Sequence, residues 1–216
     1  NEDDKGPNTG GMGAYSPAPL LTEEYLKRIT KEIIKPTIVE LNRKDIDYKG
    51  VIYFGLMITK SGPKVIEYNC RFGDPECQTI MPLMDQNFLL LLEKCAMGKL
   101  IGNEKIDTFD KVSGCVIATS KGYPHEYKKG FPIKIGNVDS TDFQIFDSGT
   151  SYNNNGELIT DGGRVLSIVC QAKDFDKVFE KAYKNLQEIN FEGIYYRSDI
   201  GHQVRKDFLK EHRSYD

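Results

Sequence analysis

No stretch of this chain approaches the ~20 consecutive apolar residues of a bilayer span, and no segment has a secretory-signal pattern. No membrane partner is therefore expected. Positive charge is not in excess either: 29 Lys and Arg against 32 Asp and Glu leave a net charge of −3. That balance offers no general attraction for nucleic acid or an anionic membrane. Cysteine is sparse and no C-x-x-C pair occurs. The odd, scattered set Cys70, Cys77, Cys95, Cys115 and Cys170 predicts reduced thiols and a cytoplasmic setting, not a disulfide framework. His125, His202 and His212 have no metal-ligand spacing and are expected at the surface or in satisfied core positions. Two phosphate-binding signatures are missing as well, G-x-x-x-x-G-K-[ST] and a G-x-G-x-x-G that follows a strand. Internal repeats are absent.

What remains is a globular composition, with 39% hydrophobic and 28% charged residues in 216, enough for one large domain or two small ones. The opening, Gly6-Pro7-Asn8-Thr9-Gly10-Gly11-Met12-Gly13-Ala14-Tyr15-Ser16-Pro17, excludes a regular helix. It reads either as a nest of backbone N–H groups for an anion or as a mobile linker. Thr22 is placed to cap a helix whose apolar stripe is Leu26, Ile29, Ile33, Ile34 and Leu41, and Pro36 should kink or divide it. Asp74-Pro75-Glu76 fits N-cap, N1 and N2 of another helix. A further helix is predicted from about Asn87 to Met97, stopping at Gly98. Beyond the polar connector 99–111 the pattern predicts strands at 112–119, 131–135, 143–147 and 164–171. Asp174 then caps a helix carrying Val178, Ala182, Leu186 and Ile189. A boundary near residue 110 is expected.

The most informative segment is Gly50–Glu76. An apolar run, 51–58, is followed by Lys60-Ser61-Gly62-Pro63 and then by Val65-Ile66-Glu67-Tyr68-Asn69-Cys70-Arg71, a pattern predicting a β-hairpin. Period-2 geometry puts Val65, Glu67, Asn69 and Arg71 on one face and Ile66, Tyr68 and Cys70 on the other. Side chains two apart on a strand lie roughly 6–7 Å from each other. The Glu67 carboxylate and Asn69 amide oxygen can thus converge on one hard cation such as Mg²⁺, which usually takes one or two protein groups plus substrate phosphates. Arg71 would reach an anion just beyond. The competing reading is an ordinary polar strand face. Asp74 reads equally as a helix cap and Glu76 as a favourable charge in a first turn, or both acids bind a hydroxylated substrate. Gly162-Gly163-Arg164 is read as a turn into a strand.

Three motifs closely resemble glycinamide ribonucleotide synthetase (phosphoribosylamine–glycine ligase), an ATP-grasp family of purine synthesis. They are residues 6–17, Lys-Val-Ile-Glu-Tyr-Asn-Cys-Arg-Phe-Gly-Asp-Pro-Glu at 64–76, and Asp-Gly-Gly-Arg-Val-Leu at 161–166. The resemblance covers essentially the whole chain and matches the family's C-terminal half. It implies an ATP-dependent carboxylate–amine ligase: ATP phosphorylates glycine, and the amine of 5-phosphoribosylamine attacks the acyl phosphate. Glu67 and Asn69 match the family's Mg²⁺ or Mn²⁺ ligands, and Arg71 would stabilise the acyl phosphate or its adduct. Asp74 and Glu76 would contact the amine or ribose hydroxyls. Gly10, Gly11 and Gly13 would line the substrate pocket, and Asp4 would hold the glycine ammonium.

The implied fold is α+β. Residues 1–110 would form the antiparallel-sheet half of an ATP-grasp domain, and 111–216 a small β-rich domain with one main packed helix. Two departures stand out: 51–59 carries no acid, and the family's N-terminal domain and ATP-clamping subdomain are missing. The chain starts Asn-Glu-Asp-Asp, so a processed protein or a piece of a longer one is expected, working with the missing N-terminal part and inactive alone. Another ATP-grasp ligase and a non-catalytic fragment are the alternatives.

Overall fold

The computed structural model describes residues 1–206 apart from 86, 103 and 105; His212 lies outside the described residues. In chain order the elements are β1 (Gly13–Ser16), α1 (Glu23–Ile29), a π-helical turn (Thr30–Ile34), α2 (Lys35–Arg43), β2 (Tyr53–Thr59), β3 (Gly62–Asn69), α3 (Glu76–Ile80) and α4 (Phe88–Ala96). There follow β4 (Val112–Ser120), β5 (Lys134–Ile135), β6 (Phe143–Asp147), β7 (Thr150–Tyr152), β8 (Leu158–Thr160), β9 (Arg164–Ala172), α5 (Phe175–Leu186), β10 (Ile189–Asn190) and β11 (Ile194–Tyr195). The strand ladders are antiparallel, as expected for an α+β fold.

The chain divides into two compact units, and the division differs from a single cut at 110. One unit comprises Asn1–Pro17, Asp74–Leu83 and Phe109–Asp216; the other comprises Ala18–Gly73 and Met84–Thr108. The physical reason is strand pairing. β1, which the sequence shows only as a Gly/Pro-rich opening, pairs with β4 from Gly13↔Val116 to Ser16↔Ser113.

In the first unit the main sheet runs β1-β4-β9-β6, with β11 also paired to β4. Its central strands are rich in apolar and β-branched residues because both faces are covered, not one. Val116, Ala118, Leu166, Ile168 and Cys170 pack with Val178, Phe179, Ala182 and Leu186 of α5. Cys115, Ile117 and Val169 form a separate cluster with Phe146. Asp174 caps α5 as expected, accepting from the Lys177 N–H at 2.9 Å. Ile189, expected on that helix, instead belongs to β10, because α5 ends at Leu186. The strand expected at 131–135 shrinks to Lys134–Ile135, Pro132 having no N–H to offer a ladder. Cys115 and Cys170 are buried free thiols, and burial pushes the Cys170 thiol up to about 12.

The second unit holds the hairpin and three helices. Thr22 caps α1, accepting from the Tyr25 N–H at 3.3 Å. The division expected at Pro36 is made by the π turn just before it, where the Lys35 N–H reaches back to the Thr30 carbonyl. A widened turn places proline, without an N–H, in the first turn of α2. α4 stops before Gly98 as predicted. At the hairpin turn Gly62 has φ +111°, and a Cβ there would collide with the Arg28 guanidinium, which donates to the Ser61 carbonyl at 2.9 Å. Glycine is therefore required for both backbone and space. Ile29 and Ile33 are buried in this unit, whereas Ile66, Tyr68, Leu89 and Ile101 are largely exposed.

Candidate functional site

The hairpin presents the expected carboxylate and amide together. β3 pairs with β2 in a register that sets Gly55 opposite Glu67 and Tyr53 opposite Asn69, with a bulge between Gly55 and Leu56. On the shared face of β3 the Asn69 amide nitrogen donates to Glu67 Oε1 at 3.0 Å. The two side chains meet at the surface and are not sealed in packing. Their oxygen donors suit a hard divalent cation, which would replace the amide hydrogen bond once the Asn69 amide turns its oxygen inward. Among the described residues no cluster of three or more His, Cys, Asp or Glu could hold a metal, so a cation held by this pair would need further oxygens from elsewhere.

Arg71 departs from the expected geometry. β3 ends at Asn69, so Arg71 lies beyond the strand and does not continue its face. Its Nη1 donates to the Phe72 carbonyl at 2.7 Å, and the side chain is exposed.

Gly55 clears the space that Glu67 occupies: a Cβ there would stand 2.8 Å from Glu67 Cγ. The lack of an acid on β2 thus has a geometric counterpart, since the position opposite Glu67 admits no side chain without displacing it. Gly55→Ala in the intact protein should weaken binding of Mn²⁺ with ATP by about tenfold, because small displacements of a ligand are costly. Calorimetric titration would show it, and unchanged affinity would mean that Glu67 is not a ligand.

The remaining candidates lie in the sheet unit. Asp74 is not the helix cap: α3 begins at Glu76 with Pro75 as N-cap and no side-chain cap bond. The Asp74 carboxylate instead receives Arg164 in a two-pronged pair, with Nη1 to Oδ1 at 3.1 Å, and the Gln78 amide at 2.9 Å. The same Arg164 Nη1 donates to the Gly10 carbonyl at 2.7 Å, and Tyr123 OH accepts the Gly10 N–H at 2.9 Å. The Gly11 N–H goes to Thr9 Oγ1 at 3.1 Å. These two N–H groups are therefore spent within the protein and are not open to an anion. Gly11, with φ +103°, passes so close to Pro75 that a Cβ would sit 2.5 Å from its Cδ. Gly13 is a strand residue packed on Ile200 and the Cys115 carbonyl. Glu76, in the first turn of α3, is half-buried.

Asp4 is held by Arg197 Nη2 at 2.8 Å, and its other oxygen lies 3.6 Å from His202 Nε2. Arg197 also grips Asp199, which accepts the Asp3 N–H at 2.7 Å. Burial pushes the Asp199 carboxyl up, but the Arg197 hydrogen bonds and the Asp3 N–H outweigh it and hold it below the usual range. Sequence reasoning missed Arg164, Tyr123, Arg197 and Asp199. A cation directly after two glycines, and an Arg-x-Asp near the end of the chain, were the available signals.

Solved structures of similar fold include biotin carboxylase from Campylobacter jejuni, with a TM-score of 0.63, 20% identity, and 93% of this chain against 44% of that one. At that identity the likeness concerns the fold alone, which is of the ATP-grasp class. Residues 1–77 match the profile of phosphoribosylglycinamide synthetase, ATP-grasp (A) domain, and 113–203 that of phosphoribosylglycinamide synthetase, C domain. The chain belongs to the phosphoribosylglycinamide synthetase family. It is 48% identical to phosphoribosylamine–glycine ligase of Caldanaerobacter subterraneus over 92% of its length, which is 47% of that protein. The corresponding Clostridium acetobutylicum protein is 45% identical over 91% of this chain and 46% of its own length. Crystallographic phosphoribosylamine–glycine ligase from Thermotoga maritima superposes with a TM-score of 0.77 at 30% identity, over 91% of this chain and 48% of that one. The chain thus spans about half the length of the curated relatives it matches. No helix among the described residues is long and apolar enough to cross a membrane.

Proposed function

We propose that this chain is the C-terminal part of a phosphoribosylamine–glycine ligase. The intact protein joins glycine to 5-phosphoribosylamine at the expense of ATP, through a glycyl phosphate, giving glycinamide ribonucleotide, ADP and phosphate in cytoplasmic purine synthesis. The observation that carries this reading is the meeting of Glu67 and Asn69 on one face of β3, inside a chain that matches both family profiles.

Glu67 and Asn69 would hold Mg²⁺ or Mn²⁺, and the bound ion supplies neutralisation of phosphate charge during phosphoryl transfer. Arg71, exposed just beyond that strand, stabilises the anionic acyl phosphate or its adduct. Glu76 contacts the amine or a ribose hydroxyl. Asp74 acts through Arg164, holding the Gly10–Gly13 segment in the shape of the substrate pocket wall. Asp4 holds the glycine ammonium only in competition with Arg197, which already engages it. The remaining N-terminal part supplies the rest of the ATP site, and the exposed Ile66, Tyr68, Leu89 and Ile101 are apolar surface of the kind a partner covers.

The test is a substrate screen on the intact protein. ADP and glycinamide ribonucleotide should form with ATP, glycine and phosphoribosylamine together. ADP release with another acid but not glycine would select a different ATP-grasp ligase, and no ADP with any acid would select a non-catalytic protein.

A further inference from the structure

We infer that a cavity in the sheet unit, beneath the loop that follows β4, is a phosphate-monoester subsite that takes the phosphorylated sugar of the amine substrate. This rests on the ligase reading and adds to it the place where the sugar phosphate is recognised. The cavity has a volume of about 320 Å³ and is lined by Pro7, Thr9 and Met12 of the opening segment and by Lys121, Tyr123 and His125 of the loop. That is the low end of the range for small-molecule sites, suited to a pentose phosphate.

Its lining carries cationic and neutral donors with no carboxylate among them. Two other lysines of this unit pair with acids, Lys111 with Asp142 at 2.6 Å and Lys129 with Asp161 at 3.4 Å. Lys121 and His125 have no ion-pair partner among the described residues. A cation left unpaired beside a concave, acid-free wall is what a phosphate dianion needs, since lysine serves phosphate as a point charge.

The hydroxyls are available as donors. Tyr123 OH accepts the Gly10 N–H, and Thr9 Oγ1 accepts the Gly11 N–H, so neither spends its own proton on those contacts. Pro7 and Met12 offer apolar surface for a sugar face.

The site is also built rigidly, which keeps the ordering cost of binding low. The Lys121 N–H donates to the Gly193 carbonyl, the Tyr123 N–H to Ser120 and the His125 N–H to Gly122, at 2.8, 3.1 and 2.9 Å. Gly163 lies under the Tyr123 ring, where a Cβ would stand 2.3 Å from Cδ2.

The experiment titrates the intact protein with ribose 5-phosphate, ribose and inorganic phosphate, and repeats it for Lys121→Met, Lys121→Arg and His125→Ala. Ribose 5-phosphate should bind and compete with the amine substrate but not with ATP. Ribose and inorganic phosphate should bind far more weakly. Lys121→Met should weaken ribose 5-phosphate and raise KM for the amine by roughly ten- to a hundredfold, the loss expected of one hydrogen bond to a charged group. His125→Ala should do so less, and Lys121→Arg should retain most binding, with KM for ATP and glycine unchanged in each. Unaltered ribose 5-phosphate affinity in both Lys121→Met and His125→Ala would overturn the subsite, and so would inorganic phosphate binding as tightly as the sugar phosphate. The two readings fail separately. Lys121-dependent ribose 5-phosphate binding without any ligation would leave the subsite and remove the ligase, while normal ligation with an unchanged amine KM in Lys121→Met would do the reverse.

Discussion

Glu67→Gln in the intact protein should lower metal-dependent ADP formation by at least a hundredfold while leaving the fold unchanged. The substitution keeps the shape and the hydrogen bond to Asn69 but removes the charge that a divalent ion requires. A Lewis-acidic ion contributes several kcal/mol of charge stabilisation in the transition state, and each 1.36 kcal/mol is about a factor of ten in rate. Stability should barely change, since the side chain is exposed and its partner is an amide. Asn69→Ala should cost less, because a neutral donor is lost and water can take its place in the coordination shell. Raising Mn²⁺ should recover part of the Asn69→Ala activity and almost none of the Glu67→Gln activity. Near-normal turnover of Glu67→Gln at limiting metal would remove the pair from the mechanism.

Phe179→Ala should destabilise the sheet unit by about 3–5 kcal/mol, as complete burial and the resulting cavity both count against it. The surroundings are shaped around this ring. A Cβ at Gly114 of β4 would stand 2.9 Å from its Cζ, and one at Gly201 would overlap its edge. The Arg205 guanidinium lies 5.9 Å above the ring centre. Neither glycine has a side chain that could move into the void, so collapse should relieve little of the cost. At roughly 2–4 °C per kcal/mol for a protein of this size, the thermal midpoint should fall by about 6–20 °C. A drop below about 1 kcal/mol in urea unfolding would show that the void does collapse.

Local chemistry explains which parts of this molecule can be read from its residues. Apolar runs around a Gly-Pro turn define the hairpin, and strand periodicity alone brings Glu67 and Asn69 together. Thr22 and Asp174 cap as their side chains dictate. Asp74-Pro75 has every local mark of a helix start, yet its carboxylate is claimed by Arg164, 90 residues away; the two glycines before Arg164 mark that cation but do not name its partner. β1 is hidden for the same reason. Four residues of Gly-Ala-Tyr-Ser become a strand only because β4 offers them a ladder a hundred positions later. Arg71 fails for a different cause: period-2 reasoning assumes the strand continues, and it stops at Asn69.

The pairing of β1 with β4 has a practical consequence for anyone dissecting this protein. A recombinant piece beginning near 111 would strip the Gly13–Ser16 partners from β4, baring N–H and C=O groups that now bond to its neighbour. It would also lose Met12 from the cluster that covers the sheet. A bare, apolar edge of that kind templates chain-to-chain association, so such a piece should precipitate or form fibrils, whereas one that carries the first 17 residues alongside keeps its border closed.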